Sequence, residues 1–186
     1  MPDTHSPAEG AYIRYPLKDL LGILALESVR QRCLVVGEDL GTVPEGFRER
    51  MEEARILSYR VLFFEKNDDG FIAPEAYPRL ALAVAGSHDL PTLRAWWGAQ
   101  DLALKKELRL YPTVALATQA AEERSRDRAA LGLRMQAERL ITATDVDCER
   151  FTEAAHSLLA STPSALAVLQ LDDLTGEVDP VNVPTT

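Results

Sequence analysis

Four short runs of uninterrupted apolar residues punctuate the chain: Cys33-Leu34-Val35-Val36, Val61-Leu62-Phe63-Phe64, Leu80-Ala81-Leu82-Ala83-Val84-Ala85 and Ala165-Leu166-Ala167-Val168-Leu169. Each has the length of a strand and almost none alternates apolar with polar positions. That is the pattern of strands covered on both faces in a parallel sheet with helices packed outside. The third run, rich in Leu and Ala, also suits a helix by propensity. Helical stretches separate the first run from the second and the third from the fourth, so the chain reads as βα units and an α/β fold. Leu17, Leu20, Leu21, Leu24 and Val29 recur at helical spacing between Pro16 and Arg32, with Pro16 suited to the first turn. A second, shorter helix is predicted from Pro44 to about Ala54, with Phe47, Met51 and Ala54 on one side. The opening segment from Met1 to Gly10 is polar and reads as a loop.

Between the third and fourth runs the sequence turns rich in Ala, Leu, Glu and Arg, with helical candidates near 101–110, 114–141 and 149–160. This is too long for one crossover, and a structureless loop of that length is improbable, so a helical insertion over about 99–161 is expected. The whole chain has 186 residues. That suits one domain and falls short of the roughly 250 residues of a closed (β/α)8 barrel.

Charge narrows the partners. With 20 Lys and Arg against 29 Asp and Glu the net charge is −9. Nucleic acids and anionic membranes need clustered cations, so neither is expected as a partner. The one basic cluster, Arg124-Ser125-Arg126-Asp127-Arg128, is short and interrupted by acid. Cys33 and Cys148 stand too far apart for a metal pair and too few for a disulfide framework. They read as small apolar packing residues in a reducing, cytoplasmic setting. No apolar run approaches the roughly 18 residues of a membrane span, and no signal peptide is expected.

Each apolar run is followed by acid: Glu38 after Gly37, Glu65 after Phe64, His88-Asp89 after Gly86-Ser87, and Asp172-Asp173 after Gln170-Leu171. In parallel barrels the working groups sit where strands finish, so four such endings point to one rim. Acids that merely mark strand exits into water are the plainer alternative at any single position. The first ending, Gly37-Glu38-Asp39-Leu40-Gly41-Thr42-Val43-Pro44, sets two carboxylates side by side at the start of a turn. Such neighbours raise each other's proton affinity, and a desolvated one can serve as a general acid; the same octapeptide also fits a turn with an acid at a helix start. The second, Gly86-Ser87-His88-Asp89-Leu90-Pro91-Thr92, offers a donor and an acceptor for hydroxyl groups. A metal site at His88-Asp89 would need more histidines than His5 and His156 supply, and no metal or cofactor is expected. Trp96 and Trp97 read as core in preference to sugar platforms. Arg60 either reaches into the site or is a surface cation. His156, in an apolar helical context, reads as a structural imidazole. Phosphate-cradling glycine loops, a Gly-x-Ser-x-Gly elbow and zinc-spaced Cys/His sets are all missing from the sequence.

At these residues the sequence resembles the 4-α-glucanotransferases, also called amylomaltases or disproportionating enzymes, of glycoside hydrolase family 77. The similar stretches are Gly10 to Pro16 with Leu24 to Ser28, Gly37 to Pro44, Tyr59 to Glu65, Ser87 to Thr92 with Trp96-Trp97, and Leu169 to Leu174 with Val181 to Pro184. The resemblance implies a partial (β/α)8 TIM barrel, about the last four strands, with the whole of residues 1–186 forming the C-terminal part of that barrel. It implies retaining transfer of an α-1,4-glucan or maltooligosaccharide segment to a new 4-hydroxyl, without a cofactor. Glu38 then matches the general acid/base, Asp89 the aspartate that holds substrate hydroxyls and stabilises the oxocarbenium-like transition state, and His88 a ligand of the same sugar. The family's nucleophile lies in an Arg-x-Asp-His motif, which these 186 residues do not contain. The isolated chain is therefore expected to have little or no transferase activity. A half barrel would expose two sheet edges, which invites self-association. The alternative class is a non-catalytic glucan-binding or interaction module derived from such an enzyme.

Overall fold

The protein is described here from a computed structural model, which covers residues 10–11 and 13–184. The polar opening segment through Glu9, Tyr12 of the first similar stretch, and Thr185-Thr186 lie outside the described residues. In chain order the elements are α1 (Leu17–Gln31), β1 (Val36–Gly37), α2 (Phe47–Glu53), β2 (Leu57–Val61), β3 (Lys66–Asn67), β4 (Gly70–Phe71), β5 (Ala81–Val84), α3 (Leu93–Gly98), α4 (Gln100–Glu107), α5 (Val114–Ala137), α6 (Cys148–Ala160), β6 (Leu166–Val168) and α7 (Leu171–Thr175).

Four strands form one all-parallel sheet in the order β1-β2-β5-β6. Val36 stands beside Leu57, Tyr59 beside Leu82, and Leu82 beside Leu166. The third and fourth apolar runs hold β5 and β6. The first overlaps β1 only at Val36, although the carbonyl of Val35 still accepts the amide of Leu57. The second run is corrected: the strand precedes it, at Leu57–Val61, and Leu62–Phe64 form a 3-10 turn. Ser58 and Arg60 kept β2 from reading as an apolar strand. Their side chains are satisfied internally, Ser58 Oγ by the carbonyl of Leu80 and Arg60 by two carboxylates.

The outer strands are open. Val36 is 39% exposed, Leu166 40% and Val168 44%, whereas Leu57, Val61 and Ala83 on the central strands are buried. The first helix matches its predicted span, with Pro16 at the N-cap, but buries none of its residues; Ile23, Leu26 and Val29 face outward. The second is shorter than expected, because Gly46 turns left-handed (φ 73°) just before it. A two-stranded hairpin, β3-β4, was not legible as strands, being built on four residues around Asp68-Asp69.

Helices α3 to α6 all lie between β5 and β6. The helix expected near 101–110 is α4, and an unforeseen short helix, α3, precedes it across Ala99, whose left-handed backbone (φ 59°) separates the two. Here Trp96 and Trp97 are core: both are buried, Trp96 stacks on Phe63 at 4.7 Å, and Trp97 on Phe151 at 4.1 Å. The indole N–H of Trp97 donates to the carbonyl of Val146 at 2.8 Å, so its one polar atom is satisfied. The basic cluster serves the same core. Arg124 pairs in a two-pronged contact with buried Asp101 at 2.6 and 2.7 Å and lies over Trp96, while Arg128 lies over Trp97. Cys148 packs at the edge of this core. Cys33 does not: it is exposed in the turn after α1, a correction to its reading as a packing residue.

Candidate active site

Parallel strands alternate their side chains between two faces, and the direction in which each acidic ending points is set by where its strand stops. Glu38 and Asp39 follow β1 immediately, and they turn opposite ways. Glu38 is exposed and lines a cavity of about 210 Å³ together with Val36, Tyr59, Ser87 and His88. Asp39 is 1% exposed. Its Oδ1 accepts the backbone N–H of Tyr59 at 2.8 Å, its Oδ2 accepts from Nε of Arg48 at 2.8 Å and lies 3.6 Å from Arg60 Nη2. Arg48 also donates to the carbonyl of Asp39 at 2.9 Å. The two acids therefore do not face one ligand together. One faces the cavity and the other bolts the loop between β1 and α2 to β2.

Tyr59 forms the part of the cavity between β1 and β5. Its hydroxyl reaches the carbonyl of Gly86 at 3.4 Å, and its pKa is raised, first by burial and then by the charge of Glu38. Sequence reasoning missed this residue as a site component because the strand was started four positions too late, at Val61 instead of Leu57. The alternation Ser58-Tyr59-Arg60-Val61 was the signal available.

On the β5 ending, His88 and Asp89 are both exposed, with His88 Nε2 3.4 Å from Asp89 Oδ2. His88 lines the cavity with Glu38; Asp89 is not among the residues lining it, and its Oδ1 accepts from Nδ2 of Asn182 at 2.6 Å. The strands that carry Glu38 and His88 are separated by β2 rather than adjacent.

The remaining two endings do not join this cavity. Glu65 lies 3.6 Å from Arg60 Nη1, and its pKa is raised, by burial above all, with Arg60 and Arg48 opposing. It lines a second cavity of about 430 Å³ with Asp39, Arg48, Phe64 and Lys66, which meets the first at Tyr59. Arg60 is thus neither a surface cation nor a free site residue; it is held between Asp39 and Glu65. Burial and the charge of Glu65 also raise the pKa of buried Tyr77. Asp173 is the clearest correction to the expected rim of four acids. It is buried, accepts the N–H of Leu93 at the start of α3 at 2.8 Å, and lies 3.2 Å from Nε2 of His156. That places His156 in a structural role between α6 and α7. Among the described residues no group of three or more His, Cys, Asp or Glu side chains could hold a metal ion. Nor, among them, is any helix long and apolar enough to cross a membrane.

Fold and site together define a class: α/β proteins with a parallel sheet whose functional groups gather on the loops leaving the carboxyl ends of the strands. Within that class the chain belongs to the 4-alpha-glucanotransferase family, glycoside hydrolase family 77, whose family model matches residues 1–186. It is 34% identical over 193 residues to a 4-alpha-glucanotransferase of Haemophilus influenzae, covering 100% of this chain and 28% of that protein. It is 31% identical over 192 residues to one of Mycobacterium tuberculosis, covering 100% of this chain and 26% of that protein. The chain therefore spans little more than a quarter of the length of these relatives. Among solved structures, amylomaltase from Corynebacterium glutamicum superposes with a TM-score of 0.89 at 29% identity, over 100% of this chain and 28% of that one. Amylomaltase from Streptococcus agalactiae, solved with acarbose, gives a TM-score of 0.62 at 17% identity, over 96% and 30%, and shares the fold. The four-stranded parallel sheet and its helices match the (β/α)8 fold of these proteins.

Proposed function

We propose that this chain supplies the proton-transfer and sugar-orienting half of a retaining 4-α-glucanotransferase site. The observation that carries the reading is that Glu38 and His88, from two strand ends of a chain in this family, line one cavity floored by Tyr59. Glu38 acts as general acid, giving its proton to the leaving glycosidic oxygen as the α-1,4 bond breaks. A carboxylate from outside this chain takes the anomeric carbon as a glucanosyl ester, since no Arg-x-Asp-His occurs in the 186 residues. Glu38, now ionised, then removes the proton from the 4-hydroxyl of an acceptor glucan, and the ester is displaced. His88 donates to a hydroxyl of the sugar at the break, and Asp89 accepts from its hydroxyls and faces the positive charge that develops in the transition state. The substrate class is an α-1,4-glucan or maltooligosaccharide, and no cofactor enters the sequence of steps.

Glucose release from maltotriose tests this, run on the chain alone and on the chain joined to its upstream coding sequence. The joined form is expected to disproportionate maltotriose and the chain alone to show little or no turnover. Glu38→Gln in the joined form is expected to abolish turnover while maltotriose binding by calorimetry is retained. A joined form that binds maltotriose without ever turning it over would instead make the chain a glucan-binding module, and turnover by the chain alone would place the nucleophile within it.

A further inference from the structure

The segment that follows β6 is fastened to the loop that carries His88 and Asp89. Asp173, on α7, accepts the N–H of Leu93 at 2.8 Å, and the hydroxyl of Thr92 donates to the carbonyl of Glu177 at 2.8 Å. The same hydroxyl accepts the N–H of Ala95 as the cap of α3, so one side chain fixes both the helix start and the incoming segment. Gly176, left-handed at φ 76°, ends α7 where a Cβ would meet the guanidinium of Arg94 at 3.3 Å. Beyond these anchors the chain runs through Asp179-Pro180 to Asn182 and Val183-Pro184, and the two prolines restrict the backbone on either side of Asn182. Asn182 Nδ2 then meets Asp89 Oδ1 at 2.6 Å, across 93 positions of sequence.

We infer that Asn182 is a positioning residue for Asp89; the inference rests on the reading of Asp89 given above. A carboxylate accepts only, and Asp89 stands exposed at a loop tip where nothing else among the described hydrogen bonds holds its Oδ1. The amide of Asn182 donates to that oxygen without adding charge, which sets the plane of the carboxylate. Oδ2 is left beside His88 Nε2 at 3.4 Å, so that both groups can address one sugar. An aspartate at 182 would repel Asp89, and an alanine would leave it free to rotate. The buried anchors Asp173 and Thr92 keep in register the arm that brings Asn182 to Asp89.

The test is a double-mutant cycle in whichever form passes the maltotriose assay, comparing Asp89→Asn, Asn182→Ala and the two combined. Loss of a hydrogen bond to a charged group predicts a fall in kcat of about 10- to 100-fold for Asn182→Ala. KM should move little, and the unfolding midpoint should be unchanged because the side chain is exposed. The combined variant should be no slower than Asp89→Asn, within about twofold. An Asn182→Ala enzyme with parental kcat, or losses that multiply in the combined variant, would overturn the positioning role while leaving Asp89's own role intact. Full activity in Asp89→Asn would instead remove the reading of Asp89, and no activity in any form would remove both.

Discussion

Replacing Asp39 should damage this protein more than replacing any exposed acid, and by an amount that can be worked out. The carboxylate is 1% exposed and receives the Tyr59 amide and Arg48 Nε, each at 2.8 Å, with Arg60 at 3.6 Å. Removing one partner of a buried charge cluster costs about 3–5 kcal/mol. Two features reduce that here. Arg48 is 47% exposed and regains water when its partner goes, so its share falls to within about 1 kcal/mol. Arg60, 19% exposed, keeps Glu65 at 3.6 Å. What remains is the orphaned amide of Tyr59, about 1–3 kcal/mol, and a weakened Arg60. Asp39→Ala should therefore lose about 3 kcal/mol, or roughly 6–12 °C in melting temperature for a chain of this size. Asp39→Asn still accepts the Tyr59 amide and should lose about half as much. Urea unfolding of the chain, followed in parallel by circular dichroism and tryptophan fluorescence, measures both. A loss below about 1 kcal/mol for Asp39→Ala, or equal losses for the two variants, would refute the view that the β1–α2 loop is fastened through this carboxylate.

Two other perturbations follow from the same geometry. Burial raises the pKa of Glu65 above its ordinary 4.5, so ionising it costs the folded state more than the unfolded chain. Its contribution to stability is complete below 4.5 and is lost as pH rises through the raised value. Glu65→Gln should thus gain on the parent as pH increases from about 4 to about 7, read from denaturation midpoints; a parent that gains on the variant over that range would contradict the sign. Trp97→Phe should keep the stacking on Phe151 but lose the bond to the Val146 carbonyl, leaving that acceptor unpaired. A loss of about 1–2 kcal/mol is expected, and an unchanged urea midpoint would show that water replaces the indole there.

The parallel sheet and its helical insertion were legible for a simple reason. Runs such as Leu80 to Ala85 lack alternation because strands inside an α/β layer have no wet face, and the Ala, Leu, Glu and Arg of 114–137 can bury little as strands. The strand of Leu57–Val61 was misplaced because its polar members, Ser58 and Arg60, find partners on other strands and loops. Nothing local marks those partners. The hairpin β3-β4 was too short to carry a period, and the break at Ala99 depends on a left-handed residue that is not glycine.

In the site, the sequence by itself was enough to put Glu38, His88 and Asp89 at the ends of parallel strands and to tie those endings to a family. It could not say which of Glu38 and Asp39 meets the cavity. Adjacent residues at a strand end point to opposite faces, and the choice is made by register against β2, where the Tyr59 amide claims Asp39. Nor could it separate Asp173, withdrawn onto Leu93 and His156, from the acids that stay at the surface, or join Asn182 to Asp89. Such pairings exist only when distant segments are brought within hydrogen-bond reach, because a carboxylate's role depends on which donors surround it, and those donors come from other parts of the fold.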